Sequence, residues 1–173
     1  TAKSIYEYFS AYTKEQIENF RSDDKEYREE ILNKVLSKKY NGILLDRDMF
    51  ISKYENEYFN SEYKIELADL LLKNEYVSVK IGSAQALSYC VDQSELSAKL
   101  IDANKINLDK KGLPIPDKFG VWFFMESNSV FEGGKVNLQK IHSIMLLSKL
   151  STWSKNIKTL GKIPIIHINK YIK

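Results

Sequence analysis

Asp69, Ser78 and Lys80 are the residues whose types and spacing first suggest chemistry. They fall in two apolar-rich runs, 64–72 (KIELADLLL) and 75–81 (EYVSVKI), joined by Lys73-Asn74. Asn in a two-residue connection between such runs is a hairpin signal. Alternate residues of a strand share a face, so Ser78 and Lys80 point the same way and Asp69 lies roughly opposite on the partner strand. A carboxylate and an ammonium at the open end of a hairpin can hold a divalent cation and steady a phosphate beside it. That chemistry needs a second carboxylate. Gln85, Ser88, Asp92, Glu95 and Lys99 recur at spacings of three and four in the next helical stretch, forming one polar stripe, so Glu95 or Asp92 is expected to reach back toward Lys80. Other readings stay open: IELADLLL is rich in helix formers, Lys80 can be an ordinary strand-end lysine, and Asp92 with Glu95 fits a capping box for a helix starting at residue 93.

Taken together these residues resemble the PD-(D/E)xK, or restriction-endonuclease-like, nuclease superfamily. The pattern is an Asp on one strand, an acid-x-Lys on the next, and then a helix. Here Ser78-Val79-Lys80 stands where the acid-x-Lys is usual. A subset of tetrameric restriction enzymes has Ser-x-Lys with the lost carboxylate moved to the following helix, and Glu95 lies fifteen residues after the lysine. Gln85-Ala86-Leu87-Ser88-Tyr89 is similar to the Gln-x-x-x-Tyr element of several superfamily nucleases. The resemblance covers about residues 62–126. It implies phosphodiester hydrolysis dependent on Mg2+ or Mn2+, with Asp69 and Glu95 as metal ligands and Lys80 assisting the attacking water. It departs from the pattern at Ala68, where a proline is usual, and at Ser78.

Charge distribution points the same way. The net charge is +3, but residues 135–173 hold eight lysines and neither Asp nor Glu, leaving 18 basic residues against 23 acids, net −5, in residues 1–134. A cationic end on an acidic body is an electrostatic footprint for nucleic acid. Lys135, Lys140, Lys155, Lys158 and Lys162 are the candidate backbone contacts, with DNA expected over RNA. The stretch has no Arg, which argues against bidentate base reading.

The remaining candidates read as structure. His142 and His167 sit among apolar neighbours without the further ligands a metal site needs, although His167 with Lys170 and Tyr171 could form a metal-independent ribonuclease site. Tyr89 and Leu87 read as core. Cys90 has no basic neighbour to lower its pKa, reads as inert packing, and as a lone cysteine cannot form an internal disulfide. Gly133-Gly134-Lys135 is a turn, not a phosphate loop.

The elements that must position these residues follow from periodicity. Ser4–Glu7 and Thr13–Gln16 have capping-box spacing. A helix is expected to start at Asp23 or Asp24, carry Tyr27, Ile31, Val35 and Leu36, and stop at Asn41-Gly42. Another is expected over 46–60, making residues 1–60 a helical subregion. The core, 61–173, then reads as a hairpin, a helix over 83–103 with a break near Asp92, a loop over 105–118, a buried central strand 119–125 (FGVWFFM), a helix over 137–158 stopped by Gly161, and a strand 163–168 placed near an edge by Pro164. The expected fold is a single domain of α+β or α/β class, with a helical front part followed by a mixed sheet flanked by helices. At 43% apolar residues the chain can build a core. Its first residues lack a signal-peptide pattern and its apolar runs fall short of the ~20 residues that span a bilayer, so a cytoplasmic protein without membrane contact is expected. Two non-catalytic readings stand beside the nuclease: a binding protein such as a toxin-immunity protein or phage-encoded inhibitor, with a protein partner, and a nucleic-acid-binding module. A homo-oligomer fits any of them.

Overall fold

A computed structural model describes residues 5–46, 48–55, 60–126 and 129–173. The elements are β1 (Ile5–Thr13), α1 (Lys14–Glu18), α2 (Arg28–Lys39), β2 (Ile43–Leu44), β3 (Met49–Glu55), β4 (Asn60–Glu66), β5 (Leu70–Leu72), β6 (Glu75–Gly82), α3 (Ala84–Asp102), β7 (Lys118–Met125), α4 (Ile144–Thr159) and β8 (Ile163–Ile172), with short 3-10 turns before and after β7. A six-stranded mixed sheet runs β1-β8-β7-β6-β5-β2, and β3 and β4 form a separate antiparallel ribbon. Strands β1, β8, β7 and β6 are mutually parallel, whereas β5 runs antiparallel to both β6 and β2.

The central strand explains the layering. Phe119, Val121, Phe123 and Met125 of β7 pack with Leu87, Val91, Ala98, Leu146, Leu150 and Trp153 of α3 and α4. Trp122 and Phe124 turn to the other face, against Ile17, Ile31, Leu32 and Leu36 of α1 and α2. A strand buried on both faces reads as a continuous apolar run, which is why FGVWFFM carries no polar alternation. The mixed α and β class is as expected, and no described helix is long and apolar enough to cross a membrane.

Several local expectations hold. Thr13 Oγ1 accepts from Gln16 N–H at 3.0 Å and Gln16 Oε1 accepts from Thr13 N–H at 2.9 Å, completing the capping box. Helix α2 ends in a left-handed Asn41 (φ 53°), with Gly42 N–H donating to Ser37 O. The expected hairpin forms only in part: β5 and β6 pair around a left-handed Lys73 (φ 55°), but residues 64–66 of the expected first strand belong to β4 in the separate ribbon, and Asp69 directly precedes β5.

Others are overturned. Ser4 lies outside the described residues, and 5–13 is a strand pairing with β8. Asp23 starts no helix; its Oδ1 accepts from Lys25 N–H in a turn, and α2 begins after Tyr27. The helix expected over 46–60 is largely the β3–β4 ribbon, with Phe59 outside the described residues. Phe50 and Ser52 are buried while Met49 and Ile51 are exposed, a period of two where a period of 3.6 was read. Residues 1–60 are therefore not a helical subregion. Helix α3 is unbroken at Asp92. Helix α4 starts only at Ile144, where Ser143 caps it by accepting from Leu146 N–H, although it does stop at Gly161 (φ 75°). β8 is interior, between β1 and β7. Pro164 sits opposite Phe119 of β7, and among the described residues the pairing with β1 begins at Ile166.

Candidate metal centre

Three chain segments meet where β2 ends, β4 ends and β5 begins. Leu45 N–H donates to Asp69 O at 2.8 Å, which continues the β2–β5 pairing and brings Asp46 beside Asp69. Glu66 is the last residue of β4. Helix α3 holds the backbone between them, with Ser97 Oγ donating to Leu67 O at 2.7 Å and Gln93 Nε2 donating to Glu66 O at 3.5 Å. One carboxylate oxygen from each of Asp46, Glu66 and Asp69 lies within 4.8 Å of the others.

Burial sets the electrostatics. Asp69 is only 8% exposed, and its carboxylate accepts from Val79 N–H at 2.6 Å. Desolvation pushes its carboxyl well above the ordinary Asp value, the Val79 bond opposes this, and the neighbouring Glu66 and Asp46 charges add to the rise. Asp46 is raised as well, by desolvation first, with Asn33 opposing and Glu66 reinforcing. Asn33 of α2 is 1% exposed, and its side-chain amide has no hydrogen-bond partner among the described residues although it lies close enough to favour the Asp46 carboxylate. Buried amides without partners are rare. The three carboxylates make an all-oxygen donor set of the kind that suits a hard divalent cation.

The acids open into a pocket of about 410 Å³, whose walls also include Tyr27 at the N-cap of α2, Glu29 and Glu30 of α2, Val79 and Lys80 of β6, and Tyr89 and Gln93 of α3. Lys80 Nζ lies 3.6 Å from Glu29 Oε1. Asp69 and Lys80, paired from the sequence, line the same pocket.

Glu95 does not join them. Asn156 Nδ2 of α4 donates to its carboxylate, and Lys99 lies 3.8 Å from it, one helical turn on. Its helix face is turned to α4, as the bond from Asn156 and the neighbouring bond from Trp153 Nε1 to Ser94 Oγ show. Asp92 likewise pairs across to Lys149 at 2.6 Å. The carboxylates that do accompany Asp69 are Asp46 and Glu66, which the sequence reading missed. Both end short runs with apolar residues (ILLD and KIE), but their meeting depends on the β3–β4 ribbon, which was read as helix.

Ser78 is buried beneath α3, where Cys90 Sγ donates to its carbonyl at 3.1 Å. Burial raises the Cys90 thiol well above its ordinary pKa, consistent with packing. Leu87 is core, but Tyr89 is 66% exposed at the pocket wall and so was misread as core. His142 is exposed. His167 is buried, lies 2.6 Å from Glu75 Oε2 and stacks on Trp122. Gly120 lies under this pair, and a Cβ there would collide with the Glu75 carboxylate.

The candidate nucleic-acid lysines divide. Lys135 and Lys140 lie in the connection from the carboxyl end of β7 to the start of α4, at the same end of the parallel strands as Lys80. Lys155 and Lys158 are in the last turns of α4, and Lys162 precedes β8, all at the opposite end of those strands. No protein-family model, curated protein or solved structure matches the chain.

Proposed function

We propose that the chain is a metal-dependent nuclease hydrolysing phosphodiester bonds, with DNA as substrate. The reading is carried by one observation: three acids with an oxygen each within 4.8 Å share a pocket with Lys80. The donor set fits Mg2+ or Mn2+, held by Asp46, Glu66 and Asp69. Such a cation supplies charge stabilisation of the phosphoryl group and a more acidic water. In the reaction a water oxygen forms a bond to phosphorus, one ester P–O bond breaks, and the departing alkoxide takes up a proton. Lys80 carries the positive charge that balances the phosphoryl oxygens as negative charge builds. Glu29 keeps the ammonium at the pocket in the absence of substrate. Val79 N–H fixes one lone pair of Asp69, leaving the other oxygen for the cation.

We further infer that α2, β2, β5, β6, α3 and β7 form a restriction-endonuclease-like core. Support comes from the order helix, strand, hairpin, helix, parallel strand, with the β3–β4 ribbon inserted between the strand and the hairpin, Asp69 just before the hairpin and Lys80 near its end. In this reading Glu66 and Asp46 supply the carboxylates in place of the acid missing at Ser78.

The deciding experiment is cleavage of single- and double-stranded DNA with Mg2+ or Mn2+. Cleavage that chelation or Asp69→Asn abolishes, with unchanged thermal melting, is the expected result. Asn retains an acceptor for Val79 N–H. A wild-type chain that cuts neither substrate with either ion overturns the reading and favours the binding-protein alternative.

A further inference from the structure

The chemistry of the pocket wall goes beyond its acids. Four aromatic side chains among the described residues are more than half exposed: Phe20, Tyr27, Tyr63 and Tyr89. Two of them, Tyr27 at 67% and Tyr89 at 66%, line this one pocket. They come from opposite faces of the sheet, Tyr27 from the start of α2 and Tyr89 from the second turn of α3. Each stands within the wall that also carries Lys80 and the carboxylates. Exposed rings beside a phosphate-handling site are surfaces on which bases stack, and stacking is tolerant of sequence because every base has a π face.

We infer that this pocket takes an unpaired strand, with the base next to the scissile phosphate stacked on Tyr89 or Tyr27. The inference rests on the nuclease reading above and names its substrate class. In a duplex the bases already stack on one another, and a ring at the pocket mouth meets a base only after it has been flipped out. At about 410 Å³ the pocket is in the size range of small-ligand sites and has room for a nucleotide. The five carboxylates at the wall repel a backbone phosphate until a cation is present, so binding of the strand requires the metal. Stacking then supplies affinity that the single Lys80 charge does not.

The test is fluorescence anisotropy of a labelled oligothymidylate of about twelve nucleotides, free and hybridised to its complement, with the full chain in Ca2+ to hold cleavage back. The single strand is expected to bind at least about tenfold tighter than the duplex. Tyr89→Ser and Tyr27→Ser each weaken it by about fivefold to a hundredfold, whereas Tyr89→Phe and Tyr27→Phe stay within about twofold of wild type, because the ring face does the stacking. Tyr89 is exposed on the second turn of α3, so Tyr89→Ser should leave the melting temperature unmoved, and a Phe variant that binds like wild type separates the ring's role from any change in folding at either position. Equal affinity of the Ser and wild-type chains, tighter duplex binding, or no binding of the oligonucleotide overturns the inference. The two readings fail separately. A chain that cleaves but is indifferent to both tyrosines loses only the stacking, while one that binds the strand through its rings but never cleaves loses the nuclease assignment and keeps the single-strand site.

Discussion

The acidic pocket and the large cleft at the other end of the molecule differ in the quantity that matters. The cleft, about 1240 Å³, lies between the β3–β4 ribbon and residues 101–111, and is three times the size of the pocket. Lys105, Lys110, Lys111 and Lys162 line it together with Glu62, Asp102 and Asp109, so its charges nearly cancel. Those charges are solvated: Asp102, Lys105, Asp109, Lys110 and Lys111 are all exposed. Lys111 is further committed to holding the ribbon, donating to Met49 O at 3.0 Å and lying over the Phe50 ring at 4.4 Å. The pocket instead sets five acids against one lysine and buries the deepest of them. Gathering like charges out of water costs free energy that packing does not return, so such clusters mark sites where a counter-charge is expected. Desolvated charge, not volume, distinguishes the two regions.

The comparison is broken most sharply at Asp69. Replacing it with Asn is expected to lower metal-dependent cleavage by about a thousandfold or more, since the cation's several kcal/mol of transition-state stabilisation is lost. Single-turnover cleavage with Mn2+ measures it. Lys80→Ala comes next, with a loss of about a hundredfold in rate and little change in metal affinity by calorimetry, because the lysine lies beside the ligand set and not in it. The matching change in the cleft, Lys105, Lys110 and Lys111 together to Gln, should alter cleavage by less than about threefold. A larger loss would put substrate in the cleft and reverse the comparison.

A smaller effect follows from protonation. The carboxyls of Asp69 and Asp46 are raised by burial, so protons compete with the cation over the range between the ordinary carboxylate pKa and the raised values. Apparent metal affinity is expected to rise with pH across that window, by up to about tenfold per pH unit for each proton displaced. The sign for folding is opposite. Because these acids hold their protons more tightly in the folded chain, the metal-free protein loses stability as pH rises from the ordinary carboxylate range toward the raised values, and a bound cation removes that loss. Thermal melting at several pH values, with and without Mn2+, checks both.

How far the site was legible depended on which contacts were local. The β5–β6 hairpin and the Asp69–Lys80 pairing could be read because a two-residue turn fixes the register of its own strands. Strand β7 could be read because a run of seven apolar residues with aromatics has few other uses. Asp46 and Glu66 could not, since they converge only because β3 pairs with β4, Met49 opposite Glu66. Their own neighbourhoods carry no sign of each other. Phe50 and Tyr54 fit helical spacing as numbers, while the chain obeyed the alternation of Phe50 and Ser52 against Met49 and Ile51. Glu95 failed for a different reason. Stripe periodicity identifies which residues share a helix face, but not which neighbour that face meets.

Glu95 therefore gives the smallest expected effect and the strictest control. Its carboxylate accepts from Asn156 and pairs with Lys99, so it ties α3 to α4 and does not face the acids. Glu95→Ala should leave cleavage and metal affinity unchanged within about twofold and cost about 1 kcal/mol of stability, the usual worth of a hydrogen bond to a charged or polar partner at a half-buried position. For a chain of this size that is a fall of about 2–4 °C in melting temperature. If the substitution instead removed metal binding while the fold held, the ligand set would include α3. The migrated-carboxylate arrangement would then describe the active form, and the Asp46–Glu66–Asp69 cluster would be a resting geometry of the same site.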